Sequence, residues 1–220
     1  MDSLVQGYEL FRAEVFPRQK LLFEKLASGQ QPEALFLTCS DSRVVPDMIL
    51  QTRPGDLFIC RNAGNIVPPY GEMLGGVSAT IEYAVCVLNV PHIIICGHSD
   101  CGAMKAVTHG NHLEHLPNVA AWLRYTESAR QLAEHSLPLH ATEHDRLRAM
   151  TRANVVQQLS HLRTHPYIAA RLQSGRLVLH GWTYDIASGM LEAFDIEQRR
   201  FVCLERHRIP KALELLKLEL

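Results

Sequence analysis

Two short segments of this chain carry side chains able to do chemistry together. They are Cys39-Ser40-Asp41-Ser42-Arg43 and, about sixty residues on, His98-Ser99-Asp100-Cys101-Gly102. Two thiolates and one imidazole form a donor set that suits zinc. A structural zinc site is closed by four protein ligands, often in paired Cys-x-x-Cys knuckles, whereas three ligands and an open position make a catalytic one. Cys39, His98 and Cys101 are three. Asp41 is a conceivable fourth, but Arg43, two residues later, is placed to hold its carboxylate as an ion pair within the same turn and leave the open position to water. Zinc makes water acidic enough to supply hydroxide near neutral pH. Of the other cysteines, Cys60, Cys86 and Cys96 stand in apolar stretches and read as buried thiols, and Cys203 points to nothing.

These segments need a scaffold that brings them to one place. Ala34 to Thr38, Asp56 to Arg61 and His92 to Gly97 are short apolar runs bounded by turn residues, as in strands buried on both faces. Between the second and third, Ile81, Ala84, Val85 and Leu88 recur at helical spacing before Pro91. A strand-helix-strand unit of this kind requires a parallel, right-handed crossover, so the class is α/β. Both chemical segments then fall at carboxyl ends of strands, the edge where open α/β sheets bind ligands. Leu4, Tyr8, Phe11 and Val15, an interruption at Pro17, then Leu22 and Leu26, give an N-terminal helical arm over 1–28. Residues 30–110 form the zinc-site core. Within 111–220 the pattern predicts helices over Asn118 to Glu134 and through Leu147, Met150, Asn154, Leu159 and Leu162, the latter opened by a capping box at Thr142 and Asp145. Leu177 to Tyr184 and Met190 to Asp195 predict a hairpin giving an antiparallel strand at the sheet edge. His135 to His144 reads as a loop and Ile209 to Leu220 as an amphipathic tail. No repeat or linker divides the chain, so 1–220 is expected to be one domain with a mostly parallel central sheet and flanking helices.

Composition narrows the function further. The 220 residues carry 22 basic and 23 acidic side chains, a net charge of -1, so a nucleic-acid surface is not expected. The first basic residue is Arg12, without a secretory pattern around it, and no apolar run approaches the roughly 18 residues of a membrane helix. Six cysteines in such a chain suit a reducing compartment, and the expected location is cytoplasmic, with no membrane partner. His109, His112 and His115 read as a solvated surface, not a second metal site or proton relay.

The two chemical segments, with Arg61-Asn62-Ala63-Gly64-Asn65, Glu82-Tyr83-Ala84 and His180-Gly181-Trp182-Thr183-Tyr184-Asp185, make the chain resemble the β-class carbonic anhydrases, bacterial with plant-like active-site motifs, over nearly its full length. The resemblance implies reversible hydration of carbon dioxide to bicarbonate and a proton by zinc-bound hydroxide, with one Zn2+ per chain held by Cys39, His98 and Cys101. It gives Asp41 a hydrogen bond from the hydroxide, with Arg43 keeping Asp41 off the metal. Asp41 becomes a fourth ligand only in a closed state. It assigns the Gly102 N–H and the Gln30 amide to substrate, and Phe58, Ala63 and Tyr83 to a narrow apolar entrance, positions that on general grounds are equally those of core residues. It implies a homodimer or homotetramer. Some members have a regulatory bicarbonate pocket containing a tryptophan. Phe36 stands at the matching position beside retained Arg61 and Tyr184, so no such pocket and an open zinc site at neutral pH are expected. Rival readings are hydrolysis of carbon disulfide or a related linear molecule, and a non-catalytic zinc- or bicarbonate-sensing protein. A Cys39–Cys101 redox pair ranks last.

Overall fold

The three apolar runs are strands in the computed structural model, which describes residues 1–73, 75–110, 113 and 115–205: β1 (Ala34–Cys39), β2 (Leu57–Asn62) and β3 (His92–His98). β1 is buried along its whole length, as a run with no polar face requires. With β4 (Val178–Tyr184), β5 (Leu191–Asp195) and β6 (Arg200–Cys203) they form one six-stranded sheet in the order β2-β1-β3-β4-β5-β6. The first four are mutually parallel, β5 pairs antiparallel with β4, and β6 pairs antiparallel with β5. The register sets Cys39 beside Asn62, and His98 beside Tyr184. The expected hairpin is present, pairing Trp182 with Ala193 and Tyr184 with Leu191. Antiparallel strands make up that side of the sheet as expected, but with one strand more than the hairpin supplies. β4 lies inside the sheet along β3, and β6, a short strand opened by Arg200 with no apolar run to announce it, takes the edge instead.

The arm comprises α1 (Asp2–Leu10), a π-helical turn over Phe11–Val15, α2 (Phe16–Arg18) and α3 (Lys20–Leu26), and none of its residues is buried. Pro17 was expected to interrupt it. The wider π turn lets the helix run on, with Pro17 in the first turn of α2, where its missing N–H costs nothing. α4 (Pro46–Leu50) follows β1, and α5 (Gly76–Glu82) runs into a π segment, Tyr83–Val87, that completes the crossover to β3. Cys86, on that segment, is exposed, correcting its reading as a core thiol, while Cys60 and Cys96 are buried. After β3 come α6 (Gly102–His109), α7 (Pro117–Leu123) and α8 (Glu127–Ser136), so the single helix expected over 118–134 is broken by a 3-10 turn at Arg124–Thr126.

α9 (Glu143–Arg163) opens on the expected box: Thr142 Oγ1 accepts from Asp145 N–H at 3.1 Å, and Asp145 Oδ2 accepts from Thr142 N–H at 3.1 Å. α9 and α10 (Pro166–Gln173) cover one face of the sheet. Val155, Leu159, Leu162, Ile168 and Leu172 pack there on Ile93, Ile95 and Leu179. Burial of each such side chain is worth about 1.5–3 kcal/mol. α9 lies close because two glycines face it. A Cβ on Gly97 would sit 2.9 Å from Val155 Cγ2, and one on Gly181 would sit 2.9 Å from Val155 Cγ1. The tail over 209–220 lies outside the described residues.

Candidate metal centre and active site

β1 is where the sheet changes direction, with β2 on one side of it and β3 on the other, and the crevice beyond the carboxyl ends of such strands is the favoured ligand site. Cys39 ends β1, His98 ends β3, and Cys101 caps the N-terminus of α6. Asp100, with φ at 60° in the left-handed region, turns the chain between the last two. Donor atoms of Cys39, His98 and Cys101 all lie within 4.8 Å of one another, and all three residues are buried. The two Sγ atoms are 4.0 Å apart. His98 Nδ1 bonds the Ser99 carbonyl at 2.8 Å, which makes Nδ1 the protonated nitrogen and leaves Nε2 a bare acceptor. Nε2 is buried with no partner, a costly arrangement for a ring nitrogen unless a cation meets it. A zinc ion fits this donor set.

The thiols share one proton. The Cys39 sulfur accepts from Cys101, which outweighs burial and, with a further bond from the Gly64 N–H at 3.4 Å, lowers its pKa to about 4. Cys101 is pushed up, because it keeps that proton beside Cys39 and because it is buried, against the opposing N–H groups of Met104 and Ala103 in the first turn of α6. A cation would displace the remaining proton.

Asp41 and Arg43 form the expected pair. Arg43 Nε donates to Asp41 Oδ1 at 3.0 Å, Nη2 to Oδ2 at 2.8 Å, and the Arg43 backbone N–H to Oδ1 at 2.9 Å. These bonds hold the Asp41 carboxyl well below the usual carboxylate range and raise Arg43 above an ordinary arginine. Asp41 Oδ2 still lies 3.9 Å from His98 Nε2, beside the ligand cluster but bound away from it. Sequence reasoning missed what fixes this loop. Arg61, on β2, donates to the carbonyls of Cys39 at 3.0 Å, Asp41 at 2.6 Å and Val44 at 2.7 Å. Its place in Arg-Asn-Ala-Gly-Asn was the only signal.

Ala63 and Gly102 lie at this end of the sheet. Ala63 precedes Gly64 and accepts from Trp122 Nε1 at 2.8 Å, and open space adjoins Gly102. Gln30, Phe58 and Tyr83 do not come to the cluster of their own chain. Gln30 is exposed in the loop before β1. Phe58 pairs with Leu35, four residues before Cys39, or about 13 Å at ~3.3 Å per residue. Tyr83 stacks on Phe58 with ring centroids 5.9 Å apart, so the three mark the opposite end of the sheet. Phe36 is buried, edge-on to Trp182 at 6.2 Å. His109 meets Glu143 at 3.1 Å and His115 is exposed, in keeping with a surface role, and His112 lies outside the described residues.

Residues 34–191 match the family described as carbonic anhydrase. A carbonic anhydrase of Pseudomonas aeruginosa is 53% identical over 207 residues, covering 94% of this chain and 93% of that protein. The solved β-carbonic anhydrase CcaA superposes with a TM-score of 0.89 at 45% identity, over 93% of this chain and 92% of that one. A structure from the tetrameric β-carbonic anhydrases of the ascomycete Sordaria macrospora gives a TM-score of 0.72 at 32% identity, over 87% and 92%. With the buried Cys39, His98 and Cys101 cluster at the switch point of such a sheet, this chain belongs to the carbonic anhydrase family, in its β class.

Proposed function

We propose that this β-carbonic anhydrase interconverts carbon dioxide and bicarbonate at the Cys39, His98 and Cys101 site, with Asp41 and Arg43 as its working dyad. The observation that carries the reading is His98 Nε2, buried and unpartnered between two thiols while the nearest carboxylate is tied to an arginine. Zinc held there supplies an acidified water close to neutral pH. Asp41, kept ionised by Arg43, is acceptor-only, so it takes a hydrogen bond from the nucleophile and fixes which lone pair faces the carbon. Gly102 opens α6 and so has an N–H with no partner within its helix, which supports its role as donor to a bicarbonate oxygen. Ala63, on the rim, restricts the entrance to small apolar molecules.

Gln30, Phe58 and Tyr83 reach a metal only if a second copy brings the opposite end of its sheet to the first. An arm with no buried residue, exposing Leu4, Tyr8, Leu10 and Leu21, supports a homodimer or homotetramer with shared sites. An active monomer in sedimentation would refute this. Arg61 is spent on three carbonyls and Phe36 is closed against Trp182, which supports the absence of a regulatory bicarbonate pocket and an open site at neutral pH. Zinc-loaded crystals at neutral pH with Asp41 on the metal would contradict it. Thiol ligands and six free cysteines support a reducing, cytoplasmic location, and among the described residues no helix is long and apolar enough to cross a membrane.

The direct test is stopped-flow carbon dioxide hydration near neutral pH with metal analysis and a Cys39→Ser control. Rapid hydration with stoichiometric zinc, both lost in the control, is expected. Zinc without hydration at any pH would sink the reading.

A further inference from the structure

Arg43 is gripped from two sides. On the metal side its Nε and Nη2 take both oxygens of Asp41. On the far side Nη1 donates to Asp100 Oδ2 at 2.9 Å and Nη2 to the Asp100 carbonyl at 3.2 Å. Two aspartates thus occupy both edges of the guanidinium fork. Asp100 is itself fixed: its Oδ1 pairs with the ammonium of Lys105 on α6, and its backbone sits in the left-handed region. Both its carboxylate oxygens meet cations, so although it adjoins Cys101 it is not disposed as a ligand.

A lone arginine–aspartate pair with the arginine side chain 44% exposed would be loosely held. A chain of four charges anchored on the turn after β1, the turn after β3 and the helix that follows loses less freedom per bond formed. We infer that Asp100 is a positioning residue: braced by Lys105, it fixes the far side of Arg43, and Arg43 thereby holds Asp41 turned off the open side of the Cys39, His98 and Cys101 cluster. The inference rests on the dyad reading above and adds to it the residue on which the dyad's geometry depends.

Asp100 has two separable jobs, since its left-handed backbone shapes the ligand turn and its carboxylate braces Arg43. Asp100→Gly keeps the first and deletes the second, glycine adopting positive φ without strain. Asp100→Asn restores an acceptor for Arg43 in a residue that tolerates the same backbone. Zinc content, hydration kinetics and crystal structures of the zinc-loaded proteins are compared with wild type. In Asp100→Gly, full zinc, an Asp41 carboxylate swung from Arg43 towards the metal and a kcat lowered about tenfold are expected, with partial recovery in Asp100→Asn. An Asp41–Arg43 pair unmoved, with kcat within about twofold of wild type, overturns the inference and leaves the dyad reading standing. Should Asp100→Gly not fold, Lys105→Met decides in its place by the same displacement or its absence. A wild-type protein that binds zinc but does not hydrate carbon dioxide would refute the function, whereas the position of Asp41 in the variants decides the inference by itself.

Discussion

His98 and His180 sit on adjacent strands, β3 and β4, with different surroundings. The first aims Nε2 between two thiols, and the second meets His92, Nε2 to Nδ1 at 3.2 Å, and the edge of Trp182. Burial first and His92 second lower the His180 pKa to about 4. The unfolded chain takes up a proton below pH ~6.5 that the folded chain refuses until about pH 4. The contribution is therefore complete above the unfolded value and is lost as pH falls through that window, a change on the order of 3 kcal/mol. Urea unfolding at a series of pH values should show a fall for wild type that is flatter in His180→Gln. Parallel curves would rule the effect out. The Cys39, His98 and Cys101 cluster and the Asp41–Arg43 pair were legible in the sequence because five residues of distinctive chemistry stand in two short segments at strand ends. Asp100 and Lys105 were not, since a brace depends on where long side chains reach, which spacing does not encode.

At the scale of elements, the parallel strands were readable because burial on both faces leaves unbroken apolar runs. β6 was not, because its four residues, Arg200 to Cys203, pair only along one side and need no such run. The π turns at Phe11–Val15 and Tyr83–Val87 were equally hidden, since one extra residue per turn hardly changes a helical pattern. The close seating of α9 on β3 gives a sharp test. A methyl at Gly97 would meet Val155 Cγ2 at 2.9 Å and Thr151 Cγ2 at 3.0 Å, both on β-branched side chains with little rotamer freedom. Gly97→Ala should therefore cost about 1–3 kcal/mol in chemical denaturation and, by shifting the neighbouring His98, weaken zinc retention against a chelator. Unchanged stability and retention would mean that the helix yields freely.

The whole molecule is one sheet with its chemistry on one edge and an uncovered arm reaching from the chain's start. The sequence showed the arm as an apolar helical stripe but not what it lies against, because among the described residues nothing buries it. Gln30, Phe58 and Tyr83 pose the same difficulty: resemblance assigned them to the site, and only the strand register shows that one copy keeps them at the other end. A further consequence follows from the spacing of the two thiols, which lie 62 positions apart. A cation gripping both acts as a stitch across that span and removes from the unfolded ensemble every conformation in which the ends drift apart. By the loop-closure measure used for disulfides, a tie of that length is worth about 4 kcal/mol. Calorimetry of the protein before and after zinc removal should show a clear drop in melting temperature, and equal midpoints would mean that packing alone ties the span. The ion needed for turnover would then also set how long the fold survives when metal is scarce.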